Sequence, residues 1–166
     1  MEMQVPSAGV PVKFMFFIFA ALAWALGAPP AVAQNTPLGW WLDQTGKGGI
    51  LIAPCGGQVC GRIEWLKTPL DAEGKPKTDI HNPDPALQRR PICGLKMMGG
   101  FMPDGSGSWT GGWVYDPNAG KTYKGVMHVT ADGSLSLRGY VGIPLFGRSE
   151  VWTRPAAALP LCAGAP

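Results

Sequence analysis

At 166 residues the chain has the length of one domain, and 14 Lys and Arg against 11 Asp and Glu leave a formal charge of +3. The basic residues are scattered among the acidic ones, which excludes the basic stripe that a nucleic-acid interface needs. With 24 Gly and 17 Pro the composition argues against a helical fold and for an all-β, turn-rich one.

The N-terminal stretch stands apart from that domain. Lys13 precedes a charge-free apolar run over residues 14–26. Such a run matches a signal-peptide core and falls short of the roughly 20 residues that cross a bilayer. Gly27, Pro29 and Pro30 stop a helix, and Ala31-Val32-Ala33 supplies a small-x-small cleavage pattern. Residues 1–33 are therefore expected to be a signal peptide. The mature chain would start near Gln34, with no transmembrane anchor left after cleavage. Without the first 33 of 166 residues, 133 remain, enough for a single core. The expected division is a barrel domain over 34–158 and a tail over 159–166.

The mature chain reads as short strands separated by turns. The first strand is expected over 39–43, and Gly46-Lys47-Gly48-Gly49 turns the chain into a second over 50–53. A third spans 60–66, with Val59, Gly61, Ile63 and Trp65 alternating against Cys60, Arg62, Glu64 and Leu66, the period of a half-buried strand. Residues 67–91 form a long connection with Pro69, Pro76, Pro83, Pro85 and Pro91, which rules out a strand there. Within it, Asp84 before Pro85-Ala86-Leu87 predicts one short helical turn. A connection of this length in a small domain is usually functional or a lid. A fourth strand is expected over 93–101. The last four follow as a meander over 108–115, 121–130, 134–141 and 145–154, joined by turns rich in Asp, Asn, Gly and Pro. Eight antiparallel strands suffice to close an up-and-down barrel, wide enough to be filled by side chains or to hold one small ligand.

Cys55, Cys60, Cys93 and Cys162 all lie in the mature part, and an even number in an exported chain implies disulfides. Cys55 and Cys60 flank a hairpin-like Gly56-Gly57-Gln58-Val59, which favours their pairing and leaves Cys93 with Cys162. Three pairings are open from sequence. No second close Cys or His pair completes a zinc site.

Gly39-x-Trp41 on the first strand and Trp152-Thr153-Arg154 on the last resemble lipocalin-like barrels, in which an Arg from the last strand stacks on the Trp at the barrel floor. More of the chain resembles the DUF2147 family of small exported bacterial proteins. The motifs that carry this are Gly39-x-Trp41, Pro54-Cys55-Gly56 with Cys60-Gly61-Arg62-Ile63, and Asp79 with Asn82-Pro83-Asp84. Further on come Arg90-Pro91-x-Cys93-Gly94-Leu95, Trp109-x-Gly111-Gly112, and Tyr115-Asp116-Pro117-x-x-Gly120-Lys121-x-Tyr123. Arg138-Gly139-Tyr140-Val141-Gly142 and Gly147-Arg148 through Trp152-Thr153-Arg154 complete the set. The resemblance implies a signal peptide and a lipocalin-like (calycin-like) barrel, and brings no catalytic residue. Cys162 lies beyond it.

Two polar constellations stand out. Asp79, Asn82 and Asp84, with His81 among them, gather oxygen and imidazole groups that a hard cation can use. Asp and Asn in a proline-rich loop equally hydrogen-bond their own backbone; with three oxygens and no glycine turn, no metal is expected. On the last strands, Arg138 and Tyr140 share one face and Arg148, Glu150, Trp152 and Arg154 another. Turned inward, Arg138, Tyr140, Arg148 and Glu150 would hold a carboxylate or phosphate head group. Leu135, Leu137 and Val141 alternate with Arg138 and Tyr140, which favours an outward face for that strand. Glycines 61, 94, 111, 112, 125, 139 and 147 interrupt the strands, as bends at barrel corners, as spaces beside Trp65, Trp109 and Trp113, or as room for a ligand.

Catalysis has little support. No Gly-x-Ser-x-Gly elbow, His-Glu-x-x-His or phosphate loop occurs, and His81 and His128 have no companion motif. No cofactor and no catalytic residue is expected. The sequence points to an exported, periplasmic or secreted, barrel that binds a small apolar or amphipathic ligand. A filled barrel that binds an envelope protein through its long loop or outer face is the second reading, and an enzyme with acidic residues in the barrel mouth the third.

Overall fold

The computed structural model describes residues 35–162. The leader expected over 1–33, and the last four residues of the tail, lie outside them. Eight strands follow in chain order: β1 (Gly39–Leu42), β2 (Gly48–Cys55), β3 (Gln58–Leu66), β4 (Lys96–Pro103), β5 (Ser108–Asp116), β6 (Lys121–Val129), β7 (Leu135–Tyr140) and β8 (Arg148–Trp152). Each pairs antiparallel with the next in one sheet of order 1 to 8. Just past β8, Thr153 exchanges backbone bonds with Leu42 at the end of β1, at 2.8 and 3.1 Å. The sheet thus comes round to its own first strand in a nearly closed barrel, joined there by this single bridge.

Antiparallel order assigns the connections to two ends. The β1–β2, β3–β4, β5–β6 and β7–β8 links emerge at one end. The β2–β3, β4–β5 and β6–β7 turns lie at the other, with the start of β1 and the finish of β8. The second end is plugged. Trp41, Met98, Phe101, Met127, Leu135 and Trp152 fill the barrel, none more than 1% exposed. Small residues make room for the large ones. A Cβ on Gly61 would come within 2.7 Å of Met98, and one on Gly125 within 2.6 Å of Phe101. Gly112 faces Phe101 in the same way. These glycines therefore accommodate Phe101 and Met98 rather than the tryptophans.

β2 runs longer than expected, from Gly48 to Cys55, and β3, β4 and β8 depart from the sequence expectation for identifiable reasons. In β3, Ile63 pairs with Ile50 while Trp65 pairs with Gly49, so Glu64 is the extra residue of a bulge. The bulge breaks the alternation. Trp65 leaves the Ile63 face and lies by Gly49 and Leu159 on the outside, while Leu66 turns inward. β4 starts at Lys96, not Cys93, because Cys93 and Gly94 sit in a turn whose Gly94 N–H donates to Ile63 O at 2.6 Å. β8 starts at Arg148, because Pro144–Phe146 forms a 3-10 turn instead of extending the strand.

The long loop is ordered by its own short pairings. Isolated bridges join Leu70 to Pro76 and Thr78 to Pro91. Pro85–Leu87 makes a single 3-10 turn, capped by Asp84, whose carboxylate accepts from Ala86 N–H at 2.9 Å. Disulfides join Cys55 to Cys60 across the β2–β3 turn and Cys93 to Cys162, each with Cα atoms 5.9 Å apart. The second ties the tail, which runs back along the outside of β2 and β3, where Cys162 N–H donates to Glu64 O at 2.7 Å.

Candidate functional site

At the plugged end, Trp41, Arg154 and Gly39 form one unit. The Arg154 guanidinium lies 3.8 Å from the Trp41 ring centroid, close enough for cation–π attraction and stacking worth roughly 0.5–2 kcal/mol. Its Nη1 and Nη2 donate to Leu38 O and Thr36 O at 2.7 and 2.8 Å, so the N-terminal segment is held across the barrel end. The Trp41 indole N–H donates to Pro37 O at 2.6 Å. Gly39 has φ +103°, and a Cβ there would meet Arg154 Nη1 at 2.9 Å, so glycine is required on both counts. Trp152 is buried in the adjacent core.

The other end is open. A cavity of about 1260 Å³ occupies the barrel mouth and the space between the loops above it. Its wall is apolar where the strands enter, from Ile50, Ile63, Val114, Leu137 and Trp152. Polar groups stand higher up. Arg148, which pairs across from Gly139, and Glu150, which pairs across from Leu137, both line it, as does Tyr140 at the end of β7. Glu150 accepts from the Trp152 indole N–H at 2.9 Å, which orients its carboxylate along the wall. Arg138 is placed elsewhere. It reaches along the outside to Pro144 O, Leu145 O and Ser149 Oγ, at 2.7, 3.2 and 2.9 Å. The four polar residues singled out on β7 and β8 are therefore split, with Arg138 bracing a loop and the other three at the cavity.

The loop residues build a different feature. Asp79 is wholly buried, and both of its oxygens are occupied. Tyr115 OH donates to Oδ1 at 2.6 Å, while Asn82 Nδ2 at 2.8 Å and Arg90 Nε at 2.9 Å donate to Oδ2. Arg90 Nη2 completes an ion pair at 2.7 Å. Burial pushes the Asp79 carboxyl towards the neutral form, but the bonds from Tyr115, Asn82 and Arg90, with the Arg90 charge, outweigh it and hold the carboxyl below its usual range. Burial, followed by the neighbouring Asp79 carboxylate, pushes the Tyr115 phenol up. Arg90 also sits 5.3 Å from the Tyr115 ring centroid. Asp84 faces away to cap its turn, so Asp79, Asn82 and Asp84 do not converge on a common point. Instead, Asp79 and Asn82 tie the long loop to the outer face of β5.

The family model described as "Uncharacterized protein conserved in bacteria (DUF2147)" matches residues 39–154. The chain belongs to the DUF2147 family. A search of curated proteins finds no significant match. Among solved structures, this DUF2147 chain is similar to protein HP1028 from the human pathogen Helicobacter pylori, described as belonging to the lipocalin family. That likeness has a TM-score of 0.61 and 23% identity, and covers 72% of this chain and 82% of the other. It establishes a lipocalin-like fold for the DUF2147 barrel, as expected from the barrel-floor residues.

Two parts of the site escape sequence reasoning. Tyr115 carries no local mark as the partner of Asp79, although its place next to inward-facing Val114 turns it outward, towards whatever covers β5. Gly120 is equally unmarked as a contact of the long loop. It has φ +64°, and a Cβ there would overlap the His81 carbonyl oxygen, so the β5–β6 turn and the loop meet backbone to backbone.

Proposed function

We propose that this protein is an exported envelope barrel that takes up one small amphipathic ligand, apolar end first, through the open mouth. The observation that carries this reading is the cavity itself. Its apolar wall, formed by Ile50, Ile63, Val114, Leu137 and Trp152, lies below a polar rim of Tyr140, Arg148 and Glu150. That gradient suits a molecule with an apolar body and a polar head. Arg148 is suited to a carboxylate or phosphate head group, in the geometry that guanidinium favours. A lipocalin-like fold alone supports no ligand, since one fold hosts many functions. Export is supported by the two disulfides, which persist in oxidising compartments, and by the signal-like residues 13–33. A filled barrel acting only as an interaction module has less support, because only the Trp41–Phe101 end is filled.

Native mass spectrometry tests the ligand reading, with the parent protein and Gly139→Phe each exposed to single-chain amphiphiles. Gly139 lines the cavity, and a Cβ there meets nothing nearer than Tyr123 at 3.5 Å, so a larger side chain grows into open space. The parent is expected to carry one amphiphile per chain and the variant to lose it. A parent that retains and accepts none, over a range of tail lengths, would overturn the reading.

A further inference from the structure

We propose that the β7–β8 loop docks the barrel mouth onto an anionic phospholipid surface. Residues 139–147 contain no charge. Four large apolar side chains in six positions face solvent there: Val141 at 71%, Ile143 at 53%, Leu145 at 75% and Phe146 at 79% exposure. Scattered apolar residues need no explanation, but a contiguous tip of this kind marks an interaction surface. The tip is also held in shape. Arg138 donates to Pro144 O and Leu145 O, and Gly147 N–H donates to Pro144 O at 3.0 Å, which closes the 3-10 turn. Its ordering entropy is spent in the free protein, so insertion need not supply it.

Charge selects the occupant. Arg148 lies across from Gly139, and Lys124 across from Tyr140, at the base of the tip. The cavity behind it also carries Asp43, Asp71, Glu73, Asp116 and Glu150, so the local attraction is confined to the tip's own base. An apolar tip, a tyrosine beneath it and cations at its base follow the layering of a membrane interface: acyl boundary, head-group level, phosphates. The overall charge of +3 adds to attraction towards an anionic leaflet. An apolar pocket on a protein partner would accept the tip but would leave Arg148 and Lys124 at its base without a role. Position supplies the last step. Val141 and Phe146 also line the cavity mouth, together with Ile80 of the long loop. Docking therefore brings the mouth against acyl chains, where an amphipathic ligand can enter. That entry rests on the ligand reading; the docking itself does not.

The test compares the full chain with its Leu145→Ser/Phe146→Ser variant, in cosedimentation with phosphatidylcholine vesicles with and without phosphatidylglycerol. Both positions are exposed, so folding is expected to survive, and circular dichroism checks it. The apolar run over 14–26 is common to the two proteins, so their difference reports the loop. The parent is expected to bind the anionic vesicles, less tightly as salt rises, and the variant to bind at least about tenfold more weakly. Phe146→Trp supplies a local readout, with its added emission shifting to the blue on anionic vesicles and quenched by brominated lipid. Equal binding by parent and double variant overturns the proposal, and so does an added emission from Phe146→Trp that vesicles leave unmoved. Self-association that the double variant abolishes, with no vesicle difference, would assign the tip to a second copy and overturn it too. If vesicle docking holds while native mass spectrometry finds no bound amphiphile, the ligand reading alone falls.

Discussion

Asp79 anchors the long loop at the mouth end. Its side chain has no contact with water, and its two oxygens receive Tyr115, Asn82 and Arg90. Replacing it by Asn keeps the shape but removes the charge opposite Arg90 and sets one amide donor against others. Asp79→Asn is expected to lose about 2–3 kcal/mol at neutral pH, the scale of a buried charge network left partly unsatisfied. The sign of the pH effect follows from the depressed carboxyl. Its contribution is complete above the ordinary value of 3.8 and is lost as pH falls through the lower value of the folded state. Urea unfolding at pH 7 and again well below 3.8 should show the gap between parent and variant narrowing. An equal gap at both would mean that the carboxylate charge carries none of it. Tyr115 acts at the other extreme. Its phenol is raised and neutral when folded, so its contribution is present below about 10.0 and lost as pH rises beyond that.

At the scale of elements, the long loop over 67–91 behaves as a strap with two fastenings. One is the Asp79–Tyr115 cluster, and the other is the close approach of His81 to Gly120. A side chain at Gly120 meets both a positive φ and the His81 carbonyl, so Gly120→Ala is expected to cost about 2–3 kcal/mol and to lift the loop locally. Limited trypsin digestion should then cut after Lys77, which precedes Thr78, faster than in the parent, while the strands stay protected. Unchanged cleavage would show that the fastening at Asp79 alone holds the strap. The strap also shows where the sequence was readable. The helical turn at Pro85 could be read from Asp84 and Pro85 because cap and first position are adjacent. The barrel floor could be read too, because Gly39-x-Trp41 and Arg154 resemble the closing residues of lipocalin-like barrels. By contrast, the Asp79–Tyr115 bond joins positions 36 apart, and no local pattern announces it. The Glu64 bulge was equally hidden, because an extra residue leaves Ile63, Trp65 and Leu66 equally apolar in sequence and decides only in space which of them faces in. Arg138 faces outward, the side that Leu135, Leu137 and Val141 favoured, but its partners are carbonyls of the next loop and Ser149 Oγ, and carbonyls carry no side-chain signature.

For the whole molecule, the two ends of the barrel are stabilised by different means, and the two disulfides follow that division. Cys55 and Cys60 are 5 apart in sequence and clip a turn at the plugged end, where Trp41, Phe101 and Trp152 already exclude water. Cys93 and Cys162 are 69 apart and bind the tail, past the closing Thr153–Leu42 contact, to the connection leading into β4. Chain-entropy reasoning gives about 2 kcal/mol for the short loop and about 4 kcal/mol for the long one. Cys93→Ser/Cys162→Ser should therefore lower the urea midpoint more than Cys55→Ser/Cys60→Ser does. The longer bridge also keeps Leu159 over Trp65, which the bulge has turned outward, so its loss adds some exposed apolar surface. Comparable losses from the two pairs would show that the tail stays seated without its bridge. In that case Leu159 and the Cys162–Glu64 backbone bond would be enough to hold it. A larger loss from the short pair would shift the weight to the plugged end and leave the mouth stabilised by the strap alone.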